Sequence, residues 1–164
     1  MEFDIKDGIE NYEELLPQVE SILNESEPII TNLSNFTALL KQSFKKISWV
    51  GFYFFDGEKL ALGPFQGKVA CTIIKIGNGV CGTSAQKRET IIIENVHDFP
   101  GHIACDGGSN SEIVVPIISD DKLIGVLDLD SYEFSAFGEN DKINLEKMCK
   151  LLVEKLPLGD YSIS

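Results

Sequence analysis

Basic residues are scarce in this chain. Its 164 residues include 14 Lys and Arg against 26 Asp and Glu, which gives a formal net charge of −12. A surface of that sign repels phosphate backbones and anionic lipids, so we expect no nucleic-acid partner and no membrane role. A membrane-spanning helix is not expected either, because no apolar run approaches the roughly 20 residues that one needs.

The beginning of the chain also lacks the features of a targeting segment. The first 30 residues contain nine acidic residues and a single basic one, Lys6. A signal peptide would start with basic residues before an apolar stretch, and a transit peptide would be rich in Arg. We therefore expect a cytoplasmic protein, or one that also enters the nucleus in a eukaryote, whose thiols are kept reduced.

No Cys-x-x-Cys pair occurs in the sequence. The four cysteines are Cys71, Cys81, Cys105 and Cys149. In a reducing compartment they are not expected to form a structural disulfide set. The missing pair also removes the usual signature of zinc ribbons and thioredoxin-like motifs, so we expect no metal site.

The order of the predicted elements indicates a single α+β domain over residues 11–156, between an acidic lead at 1–10 and a tail at 157–164. Apolar residues at helical spacing predict two helices, one capped by Asn11 and one after Pro28. Strands joined by short turns follow, with one short helix among them, before a last helix. This order favours a sheet of about six mostly antiparallel strands with the terminal helices packed on it. The predicted strands are 47–55, a return strand from 59, 69–76, 90–95, 111–118 and 123–130, and the later helices are 80–87 and 139–156.

The connection at 97–111 is long and has no periodicity. Connections in compact domains have a median of about 4–6 residues, and much longer ones are usually functional or disordered. This one contains Cys105 together with both histidines of the chain, His97 and His102. Cys105 is either a reactive thiol or a buried small hydrophobe, and a mid-loop position fits burial poorly. For the histidines, loop hydrogen bonding is favoured over a Cys/His catalytic pair or a zinc site.

The other cysteines have simpler interpretations when each is taken alone. Cys71 lies in an apolar predicted strand, and core packing is the favoured interpretation. Cys81 lies at the entry of the short helix, where a helix N-terminus lowers a thiol pKa, yet core packing is favoured there too. Cys149 lies in the last helix and is interpreted as structural.

Three acidic residues suggest a cluster. Side chains alternate along a strand, so Asp128 and Asp130 share a face at the end of an otherwise apolar strand. Glu112 opens the partner strand. Solvent-exposed strand ends often carry acids, which is the simpler interpretation. The alternative is a three-carboxyl site, in which at least one pKa rises and one carboxyl keeps its proton near neutral pH.

The hairpin between the last two predicted strands decides whether these carboxyls meet. Opposed residues of an antiparallel ladder share a face. A loop of two or four residues centred on 120–121 would pair Glu112 with Leu129, on the face away from the two aspartates. We predict an odd-numbered loop or a β-bulge, because either one brings all three carboxyls together.

Two aromatic residues of the first strand, Trp49 and Tyr53, are four positions apart and share a face. Core packing is the default interpretation. The alternative is an aromatic wall of a ligand pocket, since such pockets are mostly apolar with a few polar groups.

Seven strings distributed over the chain carry a family resemblance. They are Trp49-Val-Gly-Phe-Tyr53, Leu62-Gly-Pro-Phe-Gln-Gly-Lys68, Ala70-Cys71, Gly79-Val-Cys-Gly-Thr83, Phe99-Pro-Gly-His-Ile-Ala-Cys-Asp106, Ser109-Asn-Ser-Glu-Ile-Val-Val-Pro116 and Gly125-Val-Leu-Asp-Leu-Asp-Ser131. Together they resemble the free methionine-(R)-sulfoxide reductases, which are single-domain enzymes with the GAF fold. The resemblance covers about residues 11–156, and its motifs are more specific than those of a general GAF ligand-binding domain.

The resemblance implies a thiol mechanism. Cys105 matches the catalytic cysteine, Cys71 the main resolving cysteine and Cys81 a secondary resolver. Attack of the Cys105 thiolate on the sulfoxide sulfur would release methionine and leave a sulfenic acid, which Cys71 would convert to a disulfide. Thioredoxin would reduce that disulfide by thiol exchange, and no metal, flavin or nicotinamide cofactor is required.

The resemblance also assigns the remaining candidates. Glu112, Asp128 and Asp130 match the carboxyl cluster that handles the sulfoxide oxygen, where a protonated carboxyl can act as general acid. Trp49 and Tyr53 match the aromatic wall around the sulfur and methyl group. Selectivity for the R isomer and for the free amino acid follows from the resemblance alone.

Two other functions are weighed against the reductase. A GAF-type small-ligand sensor without catalysis would normally serve an output domain, for which 164 residues leave no room, although a partner protein could supply one. The three cysteines with the carboxyl cluster favour the enzyme. A Cys/His hydrolase is weaker, because no orienting Asn or Asp motif accompanies the histidines. The oligomeric state is not given by the sequence, which allows a homodimer.

Overall fold

The computed structural model describes residues 11–102 and 107–161. The predicted nucleophile Cys105, the acidic lead at 1–10 and the end of the tail at 162–164 lie outside the described residues.

Four α-helices lie in the described part of the chain, in the predicted order. They are α1 (Tyr12–Ile22), α2 (Ile29–Ser43), α3 (Gly79–Lys87) and α4 (Glu139–Lys155). Asn11 caps α1 as predicted, because its side-chain oxygen accepts a hydrogen bond from the backbone N–H of Glu13 at 2.8 Å. None of these helices is long and apolar enough to cross a bilayer.

Six strands form a single antiparallel sheet, which confirms the predicted α+β class. Their order across the sheet is β3-β2-β1-β6-β5-β4. The two longest-range neighbours, β1 and β6, lie side by side at its centre. The strands are β1 (Trp49–Phe55), β2 (Lys59–Gln66), β3 (Ile73–Lys75), β4 (Ile91–Ile93), β5 (Ser111–Ser119) and β6 (Lys122–Ser131).

The strand predicted at 69–76 is wrong over its first half. Only Ile73–Lys75 pairs with β2, and residues 67–72 form an irregular loop. Val69 in this loop is 89% exposed, so its apolar character does not reflect a buried strand. The connection predicted at 97–111 begins within a short 3₁₀ turn, Val96–Asp98, which the sequence periodicity does not indicate.

The two faces of the sheet have different partners. Along β1, Val50, Phe52 and Phe54 point into a core shared with α1, α2 and α4. Trp49 and Tyr53 point to the opposite face, where they join a smaller apolar cluster with residues of α3. This is the period-two alternation expected of a strand buried on both sides. The second face is covered by fewer helices than the first, and the candidate site lies on this second face.

Candidate active site

A bulge in the β5–β6 hairpin places the three carboxyls on one face. Ser119 pairs with Lys122 across a two-residue turn whose residues both have positive φ, as tight hairpins require. The register then shifts by one residue between Ile117 and Ile118. Glu112 is therefore opposite Asp130 rather than Leu129. The predicted bulge is confirmed, and the three-carboxyl cluster is geometrically possible.

Two of these carboxyls are buried. Glu112 is 5% exposed and Asp128 is 6% exposed, while Asp130 beside them is only partly buried. The expectation that a strand end simply presents its acids to solvent is wrong for the first two. The Oδ1 atom of Asp128 has no hydrogen-bond partner among the described residues, so this oxygen remains available to a bound molecule.

Burial and mutual repulsion change the acidity of this pair. Burial raises the pKa of Glu112 well above its usual range, and the charges of Asp128 and Asp130 add to the effect. Burial also raises the pKa of Asp128, to about 6, although a hydrogen bond with Glu112 opposes that rise. Near neutral pH the two carboxyls therefore keep one proton between them. Glu112 carries it and donates a hydrogen bond to the Asp128 carboxylate.

Cys81 in α3 contacts the same cluster. Its Sγ lies 4.0 Å from Oε1 of Glu112, and the residue is 5% exposed. Burial and the charges of Asp128 and Glu112 raise the pKa of its thiol. The lowering that a helix N-terminus would produce is thus outweighed here, because the neighbouring carboxyls oppose a thiolate.

Trp49 and Tyr53 form one wall of a pocket that opens above these carboxyls. Their rings are stacked, with centroids 6.1 Å apart and an interplanar angle of 25°, and both are nearly fully buried. The pocket is also lined by Glu112, Asp128 and Asp130. The aromatic-wall interpretation therefore fits the structure better than core packing alone, because the rings face a cavity with convergent polar groups.

The cysteines occupy distinct environments. Cys71 is disulfide-bonded and lies in the irregular loop at 67–72, where its backbone carbonyl accepts a hydrogen bond from the Tyr53 hydroxyl at 2.9 Å. Cys81 and Cys149 are free thiols and both are buried. Cys149 belongs to the helix-side core, as its structural interpretation predicts.

The long loop contributes two polar lining residues, His102 and Ser109, that were not among the predicted site residues. His102 lines the pocket with its Nε2 3.9 Å from Oε2 of Glu112, too far for a hydrogen bond. Burial, with a contribution from His97, lowers its pKa, so it is neutral near pH 7. Ser109 is 4% exposed, and its Oγ has no hydrogen-bond partner among the described residues. The sequence signals for these residues were the unusual length of the loop and, for His102, the concentration of both histidines with Cys105 in it.

Loop hydrogen bonding, the favoured interpretation for the histidines, is confirmed for His97. Its Nε2 lies 2.9 Å from Oδ1 of Asn110. Asn110 also donates a hydrogen bond to the backbone of Tyr132 at 2.8 Å. These contacts fix the chain just before Glu112 enters β5.

Three buried groups have the spacing of metal ligands. One ligand atom from each of Cys81, Glu112 and Asp128 lies within 4.8 Å of the others. A cation here would have to displace the protons that burial keeps on the thiol and on Glu112. The same protons are what a general acid needs, so the cluster suits proton transfer better than metal binding at neutral pH.

Comparisons with known proteins match the chain to a domain family and to named relatives. The GAF domain family model matches residues 34–153. GAF domain-containing protein A of Dictyostelium discoideum is 50% identical over 144 residues, which are 87% of this chain and 90% of that protein. The free methionine-R-sulfoxide reductase of Saccharomyces cerevisiae is 47% identical over 148 residues, 85% of this chain and 82% of that protein.

The fold also closely matches that of a solved structure. The X-ray structure of free methionine-R-sulfoxide reductase from Neisseria meningitidis in complex with its substrate superposes with a TM-score of 0.87 at 42% identity. The match covers 96% of this chain and 95% of that one. The GAF fold and the resemblance seen in the sequence are thereby confirmed. The chain belongs to the free methionine-R-sulfoxide reductases, oxidoreductases that consist of a single GAF domain.

Proposed function

We propose that this protein reduces free methionine-(R)-sulfoxide to methionine, with Cys105 as the nucleophile. The names of its relatives support the substrate. The observation that carries the mechanism is the buried pair of Glu112 and Asp128, in which one carboxyl keeps a proton at neutral pH. This proton lies at the pocket that Trp49 and Tyr53 wall.

The proton solves the main chemical difficulty of the reaction. A sulfoxide sulfur accepts a thiolate only if its oxygen is protonated or strongly hydrogen-bonded. Glu112 would donate its proton to that oxygen, and the carboxylates of Asp128 and Asp130 would stabilise the positive charge that develops on the substrate. The apolar rings of Trp49 and Tyr53 would hold the sulfur and its methyl group against the cluster.

Sulfur chemistry then completes the reduction. The Cys105 thiolate forms a bond to the sulfur of the protonated sulfoxide, and the oxygen then passes from that sulfur to the Cys105 sulfur as the two sulfurs separate. The substrate S–O bond is broken, methionine leaves in reduced form, and Cys105 is oxidised to a sulfenic acid. Cys71 condenses with it to form a disulfide and releases water. The disulfide-bonded state of Cys71, beside the free thiols of Cys81 and Cys149, supports Cys71 as the main resolver. Thioredoxin, the expected cytoplasmic reductant, would reopen the bond by thiol exchange.

A stoichiometric assay tests this function directly. Fully reduced protein is mixed with free methionine-(R)-sulfoxide, and methionine formed and thiols lost are counted in the same sample. The reductase predicts two thiols lost for each methionine that the resolved enzyme releases. Binding of the sulfoxide without any thiol loss would instead support a ligand sensor.

Cys71→Ser should separate attack from recycling. Because the attack and the departure of methionine precede resolution, this variant should still release about one methionine per chain. It should then stall as a sulfenic acid that thioredoxin recycles poorly, whereas dithiothreitol should partly rescue turnover. Quenched-flow counting of methionine per chain, with either reductant, measures both effects.

Cys81→Ser is the matched comparison for that variant. It makes the same chemical change at a free, buried thiol beside the carboxyls. We expect it to retain multiple turnovers with thioredoxin at a reduced rate. A stall after one turnover in Cys81→Ser, with normal recycling of Cys71→Ser, would assign resolution to Cys81 instead.

A further inference from the structure

The loop that carries Cys71, residues 67–72, is attached to β1 by the polar edges of two buried rings. The indole N–H of Trp49 donates a hydrogen bond to the backbone carbonyl of Lys68 at 3.0 Å. The hydroxyl of Tyr53 donates one to the backbone carbonyl of Cys71 itself at 2.9 Å. The same two side chains that wall the pocket with their ring faces therefore also hold the loop with their edges.

These bonds matter because the loop has little apolar burial of its own. Val69 is 89% exposed, and no residue of the loop belongs to a helix or strand. Trp49 and Tyr53, in contrast, are 3% and 2% exposed and are fixed in the central strand of the sheet. The rigid partner in each bond is thus the ring, and the positioned partner is the loop backbone.

Disulfide formation demands such positioning. Two cysteines can form a disulfide only when their Cα atoms lie about 4.4–6.8 Å apart with their Cβ atoms directed at each other. The Tyr53 hydroxyl donates its hydrogen bond to the backbone carbonyl oxygen of Cys71, the same residue whose thiol must react. Of the bonds that attach the loop, which include those of Trp49 to Lys68 and of the Leu62 backbone N–H to the Thr72 carbonyl, the Tyr53 bond is the one made to Cys71 itself.

We propose that Tyr53, through its hydroxyl, is a positioning residue for disulfide formation by Cys71. The hydroxyl acts through the Cys71 backbone rather than on the substrate. This inference rests on the proposed function, which assigns resolution to Cys71. In the step concerned, the Cys71 sulfur forms a bond to the sulfenic sulfur of Cys105 while the S–O bond breaks. The hydroxyl leaves with the Cys71 proton as water, the Cys71 sulfur is oxidised, and the sulfenic sulfur is reduced.

Tyr53→Phe tests the proposal, because it keeps the ring and removes only the hydroxyl. Reduced variant is mixed with free methionine-(R)-sulfoxide in a single turnover, and methionine, free thiols and dimedone-trapped sulfenic acid are followed over time. We expect about one methionine per chain, and a ratio of the rate of second-thiol loss to the rate of methionine release about five- to tenfold lower than in the parent protein. Sulfenic acid should accumulate in the interval.

Tyr12→Phe is the matched control. Tyr12 is also buried, and its hydroxyl also donates one hydrogen bond, to Asp141 at 2.7 Å, but on the helix side of the sheet. It should lower thermal stability without separating thiol loss from methionine release. If Tyr53 acts in substrate binding alone, Tyr53→Phe should raise KM or slow methionine release, with no added delay between methionine release and thiol loss. That result would overturn the proposal.

The Cys71→Ser background distinguishes the remaining outcomes. If Tyr53 acts through Cys71, adding Tyr53→Phe to Cys71→Ser should not change the lifetime of the sulfenic acid further. A further change would overturn the proposal.

Absence of methionine from the parent protein would instead reject the proposed function. If Tyr53→Phe does not fold, Trp49→Phe, which removes the bond to Lys68, should show the same delayed thiol loss, and its absence would count against the inference.

Discussion

Cys105→Ser should release no methionine from free methionine-(R)-sulfoxide, even in a single turnover. An alcohol is a poor nucleophile at neutral pH, and two of the remaining cysteines are poorly suited to replace the thiolate. Burial raises the thiol pKa of Cys81 and of Cys149, so neither is a ready source of thiolate. Methionine per chain, counted after one mixing event with excess sulfoxide, should fall below the detection limit.

Cys149→Ser provides the control for this experiment. It makes the same substitution at a free thiol in the helix-side core, away from the pocket. It should keep the methionine burst of the parent protein. Dimedone labelling of the Cys71→Ser variant should locate the sulfenic acid on Cys105. A full methionine yield from Cys105→Ser, or a label on Cys81, would show that the nucleophile is assigned wrongly.

The hairpin shows how far sequence periodicity reaches. Alternation alone puts Asp128 and Asp130 on one face, because it depends only on neighbouring residues of one strand. The face of Glu112 depends on the register between two strands, which a single extra residue reverses. The sequence does contain one indication of the irregularity. A Cβ atom at Gly125 would overlap the Tyr53 carbonyl, and glycine within a strand often marks a bulge or a close approach.

The loop at 67–72 shows where the same reasoning fails. Val69, Ala70 and Cys71 form an apolar run that is typical of a strand. In the structure these residues lie beyond the paired part of β3, and Val69 and Ala70 line the pocket instead. A pocket lined by apolar residues and a buried strand need the same residue types. Composition therefore cannot separate the two, and only the pairing partner does.

The electrostatics of the site could be predicted only in outline. Clustering of the carboxyls implies that one of them keeps a proton, but which one depends on burial. Both carboxyls are buried, but the charges of Asp128 and Asp130 add to the effect of burial in raising the pKa of Glu112. His102 and Ser109 reach the pocket from an aperiodic loop. No local pattern could have placed them there, because their positions depend on contacts far apart in the sequence.

Glu112→Gln should reduce turnover with free methionine-(R)-sulfoxide by about 10²–10⁴-fold, the usual contribution of general acid–base catalysis. The amide can donate a hydrogen bond to Asp128 or to the sulfoxide oxygen, but it cannot transfer a proton. The steady-state kcat at pH 6–8 measures this effect. If kcat stays near that of the parent protein across this range, the proton must come from Asp128 or Asp130.

The same substitution should stabilise the fold. Folded Glu112 keeps its proton at pH values where an unfolded glutamate, with a pKa of about 4.3, has lost it. The folded state then binds more protons than the unfolded state, so the free energy of unfolding decreases as pH rises from about 4.3 toward the raised pKa. Glutamine removes that dependence. The advantage of Glu112→Gln in urea denaturation should therefore increase with pH across this window.

Asp141→Asn should lower the stability of the fold and keep the activity, which is the reverse of what we expect for Glu112→Gln. Asp141 is another buried acid, 6% exposed, but its Oδ1 is bound by Lys46 Nζ at 2.8 Å and by the Tyr12 hydroxyl at 2.7 Å. Neutralising it leaves these donors without a charged acceptor and should lower the free energy of unfolding by roughly 1–3 kcal/mol. Methionine release should be retained, because these residues lie outside the pocket. A buried carboxyl whose removal stabilises the fold and stops the chemistry is thereby distinguished from one whose charge serves the fold alone. Equal destabilisation by both substitutions would contradict the protonated state assigned to Glu112.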